Sequence, residues 1–192
     1  PPPLGAPAAR RDGSMWISLV GFMGSGKSSV ARVLGERALL TVVDLDAEVE
    51  RLAGLSVPEI FGREGVDGFR RRELAALGAL DRAAPLLIAT GGGTVETPAC
   101  TALLRERGAV FWLDAPWEVL RRRIGQADAP RRPLLRHLGW EGLERLQRRR
   151  QRLYAGAAHF RLRTDLTGPG TAARAILTRS IVWERRRGGA AA

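Results

Sequence analysis

Short apolar runs, several rich in β-branched residues, recur at 16–20, 41–44, 86–89 and 109–113, with a weaker one at 159–163. Each is too brief for a helix and is bounded by glycine or polar residues, so each predicts a strand. Between them the apolar residues recur every three or four positions, which predicts helices over 27–38, 46–53, 57–64, 68–82, 96–107, 116–124, 140–154 and 171–186. In the first of these, Val30, Val33 and Leu34 share one face. Strand and helix in alternation is the pattern of βαβ units, and predicts an α/β fold with a central five-stranded parallel sheet flanked by helices in three layers. No internal repeat is present. The stretch "GQADAPRRPLLRHLG", 125–139, is the longest polar, proline-bearing interruption and is the expected mobile lid.

At 192 residues and 45% hydrophobic content, the chain is long enough for one domain with a sizeable core. That domain is expected over 15–187, after an extension at 1–14 and before a tail at 188–192, both expected to be disordered. Met15 is the expected natural start, because "PPPLGAPAARRDGS" lacks the apolar centre of a secretory signal. A single cysteine, Cys100, rules out an internal disulfide, and no CxxC or His/Cys cluster suggests zinc; a cytoplasmic location is expected. No apolar run reaches the roughly 18 residues that cross a bilayer, so no membrane partner is expected. A net charge of +11 would suit nucleic acid. No recognition motif accompanies the charge, and arginine spread over every solvated face explains it without a partner.

That arginine bias isolates one residue, because Lys27 is the only lysine among 31 basic side chains. It lies in "GFMGSGKS", Gly21 to Ser28, which satisfies G-x-x-x-x-G-K-[ST] at every defined position, after a strand and before a helix. Gly21, Gly24 and Gly26 permit a turn whose backbone N–H groups converge on phosphate oxygens at the positive end of a helix. Lys27 brings a compact charge to the β- and γ-phosphates, where a planar guanidinium would not fit. Ser28 offers a hydroxyl to Mg²⁺.

In open parallel sheets, ligands bind beyond the carboxyl ends of the strands. After the second strand stands "DLD", where Asp44 and Asp46 point the same way if strand geometry persists. One carboxylate can serve the Mg²⁺ shell while the other meets an attacking hydroxyl; the alternative use of the pair is a helix N-cap. After the third strand, Gly91, Gly92 and Gly93 allow a ligand to approach bare backbone, or simply make a turn. Between these strands Arg70 and Glu73 lie one helical turn apart, beside Phe61 and Phe69, either as a surface ion pair or as part of an acceptor pocket.

Taken in order, "GFMGSGKSS", "DLD" at 44–46, "FRRRE" at 69–73, "GGGTV" at 91–95, "RRPLL" at 131–135 and "RRRQRLY" at 148–154 resemble the shikimate kinase family over roughly residues 15 to 180. The resemblance implies a three-layer P-loop kinase fold and ATP-dependent phosphorylation of the 3-hydroxyl of shikimate, in the pathway to aromatic amino acids. It implies ATP contacts from Gly24, Ser25, Gly26, Lys27, Ser28, Ser29 and the lid residue Arg132, and a metal shell from Ser28 and Asp44. It implies acceptor contacts from Asp46, Arg70, Glu73, Gly92, Gly93 and Arg150, with Asp46, Lys27 and Arg132 serving catalysis. Mg²⁺ is the implied cofactor, ATP and shikimate the implied partners, and a monomer the expected state.

Val66 and Gly156 stand where the family pattern carries acids, and Arg152 where it carries proline, but none of these touches an assigned residue. Arg123 is the candidate for adenine stacking, while His137 and His159 receive no role. Two rivals keep the phosphate loop: a small kinase for gluconate or a nucleoside monophosphate, and a nucleotide-binding regulator without turnover. The second has no use for Asp46, Arg70 and Arg150 together.

Overall fold

The computed structural model describes residues 15–126 and 133–189. Five strands, β1 (Trp16–Val20), β2 (Thr41–Asp44), β3 (Leu86–Ala89), β4 (Gly108–Asp114) and β5 (Phe160–Arg163), form one sheet in the order β2-β3-β1-β4-β5. Every pairing is parallel, with Ile17 opposite Leu87 on one side and Ala109 on the other. The three central strands are wholly buried, while the edge strands β2 and β5 are partly exposed. That is the burial a parallel sheet has when helices cover both faces.

Alternation along the strands feeds two cores. Trp16, Val20, Ile88, Val110 and Trp112 face one way and are covered by α2 (Leu45–Ala53), α3 (Val57–Ala79), α4 (Pro98–Arg107), α5 (Trp117–Gln126) and α6 (Pro133–Ala157). Ile17, Leu19, Leu87, Phe111 and Leu113 face the other way, under α1 (Lys27–Ala38) and α7 (Pro169–Gly189). The arrangement is the expected three-layer α/β fold. Many arginines pair along their own helices, as Arg32 with Glu36 and Arg148 with Glu144 do, on solvated faces.

Several helix boundaries depart from the sequence expectation, each for a local reason. Helices expected at 57–64 and 68–82 are one element, α3, bent where Gly65 takes φ 67° and ending at Ala79. Its start is fixed by a capping box in which Ser56 and Glu59 satisfy each other's backbone N–H groups. The helix expected from 96 is a 3-10 turn (Thr94–Glu96) followed by α4, with Pro98 in its first turn. The helix expected from 140 begins at Pro133, with a break at Gly139 (φ 62°). Residues 133–138 of the expected lid are therefore helical, and 127–132 lie outside the described residues.

Candidate active site

β1 lies at the centre of the sheet, between β3 and β4, and the loop that follows it sits at the point where the strand order reverses. Gly21, Gly24 and Gly26 hold φ of 147°, 76° and 94°, a left-handed series that side chains resist, and a side chain at Gly21 would strike the Leu113 carbonyl. Gly26 precedes α1 without a side-chain cap, so the first N–H groups of that helix stay available to an anion. Ser25 Oγ is buried with no hydrogen-bond partner among the described residues. Lys27 Nζ folds back to donate to the carbonyls of Gly21 (2.7 Å) and Phe22 (3.1 Å), while Ser28 and Ser29 are exposed on the first turn of α1. Arg123 donates to the Gly24 carbonyl at 3.3 Å and to Thr164, which ties it beside the loop.

Asp44 and Asp46 do not share a strand face. β2 stops at Asp44, whose Oδ1 accepts from the N–H groups of Asp46 (3.1 Å) and Ala47 (3.3 Å), so the N-cap use is realised. Asp46 thus sits on the first turn of α2, with a buried Oδ1 that has no hydrogen-bond partner among the described residues. Burial, together with the charges of Glu73 and Asp44, pushes its carboxyl up to about 6 against the pull of Lys27 and Arg70. A Cβ at Gly91 would come within 2.6 Å of that oxygen, so the glycine leaves room beside it.

The Arg70–Glu73 pair is not a surface feature. Glu73 is fully buried, pairs with Arg70 and accepts from Thr94 Oγ1 at 2.6 Å. Arg150 reaches the same place from α6, where Leu143, Gln147, Arg150, Tyr154 and Ala157 form a buried stripe at helical spacing. Gly93 lies between the two guanidiniums, and any side chain there would overlap Arg70. Tyr154 donates its hydroxyl to the Gly92 carbonyl at 2.5 Å, which holds the glycine run against α6.

Glu96, one turn past the glycines, joins the cluster. Its Oε2 accepts from Arg70 Nη2 (3.1 Å) and Arg150 Nη2 (2.8 Å), and its Oε1 from Arg150 Nε (3.1 Å) and Arg149 Nη2 (2.9 Å). Burial works to raise its carboxyl, but the hydrogen bonds and charges of Arg150, Arg149 and Arg70 prevail and hold it below the ordinary carboxylate value.

Asp46, Arg70, Glu73, Gly92, Gly93 and Arg150 therefore converge from four elements, and Arg132 lies outside the described residues. Glu96, Thr94 and Tyr154 are the members that sequence reasoning missed. The only signal for Glu96 was an acid just after the glycine run, where it also reads as an ordinary helix-start residue. His159, given no role, accepts the Val110 N–H at Nδ1 (3.0 Å) and so supports the start of β4. No cluster of three or more His, Cys, Asp or Glu suited to a metal occurs among the described residues.

This strand order, with a glycine-rich phosphate loop after the central strand, is that of a P-loop kinase. Comparison with known proteins narrows the class. A family model described as shikimate kinase matches residues 23–180, and the chain belongs to that family. It is 45% identical over 154 residues to the shikimate kinase of Symbiobacterium thermophilum, covering 79% of this chain and 87% of that one. Against the Aromatoleum aromaticum shikimate kinase the identity is 40%, with 84% and 92% covered. The structure of shikimate kinase from Acinetobacter baumannii in complex with shikimate superposes with a TM-score of 0.78 at 36% identity, over 85% of this chain and 91% of that one. The family's activity, ATP-dependent phosphorylation of shikimate, is the activity of this chain.

Proposed function

We propose that the γ-phosphoryl group of ATP passes to the 3-hydroxyl of shikimate at the junction of the phosphate loop and the arginine cluster. The observation that carries this reading is their adjacency: the position a Cβ would take on Gly92 is 3.7 Å from the Gly21 carbonyl oxygen and 3.8 Å from the Met23 nitrogen. An acceptor lying along the glycine run would therefore end beside the nucleotide's phosphates.

Phosphoryl transfer asks mainly for positioning and charge neutralisation. Gly24, Ser25, Gly26, Ser28 and Ser29 hold the phosphates through backbone N–H groups and hydroxyls, and the unsatisfied Ser25 Oγ suits a donor awaiting an oxygen. Lys27 exchanges two neutral carbonyls for charged phosphate oxygens, a stronger pairing that moves its charge onto the transferred group. Asp46 accepts the hydroxyl proton at Oδ1, with a proton affinity matched to work near neutral pH. Arg70 and Arg150 present forks to the acceptor's carboxylate, Glu73 fixes Arg70 from behind, and Gly92 and Gly93 keep the backbone close.

The donor set fits Mg²⁺ held by few protein groups and many phosphate and water oxygens, with Ser28 as ligand and Asp44 acting through water while it keeps its cap. A Mg²⁺ ion held by Ser28 and Asp44 would supply charge neutralisation for the transferred phosphoryl group. Arg132 serves as the lid cation. We place the chain in the cytoplasm, supported by its free, buried thiol, Cys100.

A coupled ADP-release assay across shikimate, gluconate and nucleoside monophosphates tests the acceptor. Turnover is expected with shikimate alone, and to collapse when its carboxylate is replaced by a neutral amide. Equal turnover of acid and amide would remove the arginine clamp from the reading.

A further inference from the structure

Glu96 is placed where an acceptor's carboxylate should go. Arg150 grips it through Nε and Nη2, at 3.1 and 2.8 Å, in the two-pronged manner that guanidinium uses for planar carboxylates. Arg70 adds a bond at 3.1 Å, so one oxygen, Oε2, bridges both arginines of the proposed clamp. The cluster is already neutral in this state: Arg70, Arg149 and Arg150 face Asp46, Glu73 and Glu96. A second carboxylate brought to the same two guanidiniums meets N–H groups that Glu96 already engages.

We propose that Glu96 is an internal occupant of the acceptor clamp, aligning Arg70 and Arg150 while the site is empty and leaving them when the acceptor's carboxylate enters. The proposal rests on the reading of those two arginines as the clamp. Arg149 supplies the way out, because it is 69% exposed and already bonded to Oε1 at 2.9 Å. Glu96 can swing toward it and stay paired outside the pocket. The exchange makes the site selective: an acceptor without a carboxylate cannot replace what Glu96 gives up, whereas one with a carboxylate takes over bonds of the same kind. Glu96 is thus a specificity residue that competes with substrate, the opposite of Glu73, which is buried behind Arg70 and stays.

Steady-state kinetics of Glu96→Gln tests this directly. Removing the competing charge is expected to lower the KM for shikimate roughly ten- to a hundredfold, the size of one charge-assisted contact. The kcat and the KM for ATP should stay close to those of the native enzyme. Discrimination between shikimate and its amide should shrink, because the amide no longer has to displace a carboxylate. Glu96→Asp, which keeps the charge but cannot span both arginines, should lower the KM by less and serves as the readout if the glutamine variant folds poorly. A raised or unchanged shikimate KM in the folded variant overturns the proposal and makes Glu96 a fixed support of the arginines. Arg70→Ala and Arg150→Ala run beside it: if neither changes the shikimate KM, the clamp reading itself fails, and if both raise it while Glu96→Gln does not lower it, only the role of Glu96 fails.

Discussion

The two halves of the site are built from different materials. The nucleotide half is backbone, a contiguous loop from Gly21 to Gly26 whose glycines set its shape and whose chief side chain, Lys27, comes next in the chain. The acceptor half is side chains, with Asp46, Arg70, Glu73, Glu96 and Arg150 drawn from α2, α3, the 3-10 turn and α6. A backbone site carries only the partial charges of N–H groups and a helix end, so it can remain unsatisfied until phosphate arrives. A pocket of full charges cannot, and this one pairs internally, with Asp46 Oδ1 and Arg70 Nε left over as buried unsatisfied atoms among the described residues. The nucleotide half is therefore sensitive to shape, and the acceptor half to the balance of charge.

Asp46→Asn should have the largest effect, a loss on the order of 10²–10⁴ in kcat with ATP affinity little changed, since it removes the proton acceptor and leaves the loop intact. An equal loss of ATP binding would erase the distinction between the halves. Lys27→Arg should come next, with roughly a ten- to hundredfold loss in kcat at unchanged thermal stability, because charge is kept and shape is lost. Near-normal turnover in that variant would show that the loop reads charge after all.

On the acceptor side, Arg70→Ala and Arg150→Ala should each weaken shikimate binding about ten- to a hundredfold and combine non-additively, with ATP binding preserved. Titration calorimetry with each ligand separates the two. The smallest effect is on stability. Asp46 holds its proton up to about 6 in the folded chain, against 3.8 for an ordinary aspartate, so its contribution to stability declines as pH rises between those values. Asp46→Asn should accordingly raise the melting temperature of the ligand-free protein at pH 7.5, and hardly at all at pH 4. In the native enzyme kcat should fall as pH drops through 6, which a pH–rate profile measures.

The same contrast explains what could be read from the residues alone. The central strands are legible because both faces are buried, so their apolar runs stand out; β1 and β3 begin and end where those runs do, and so does the more exposed edge strand β2. The phosphate loop is legible because its function is carried by consecutive residues. Helix bends are less so, since a glycine at 65 or 139 reads alike as a break or a kink, and only the left-handed φ inside a continuous element decides. In the acceptor half the Arg70–Glu73 spacing was visible, but not its burial, which depends on α6 and the glycine run packing over it. Glu96 was barely legible, as an acid after the glycine run: its main partner, Arg150, lies 54 residues on, and no local pattern joins them.

The break at Gly139 has a mechanical consequence. It splits α6 into a short arm, 133–138, continuous with the residues expected to close over the nucleotide, and a long arm bearing Arg149, Arg150 and Tyr154. An unbroken rod of that length would act as a lever, and a swing at its start would drag Arg150 off its carboxylate partner. With the rod broken, and the long arm pinned by its buried stripe and by the Tyr154 bond to Gly92, a swing of the short arm can be taken up at Gly139 and leave Arg150 on its partner.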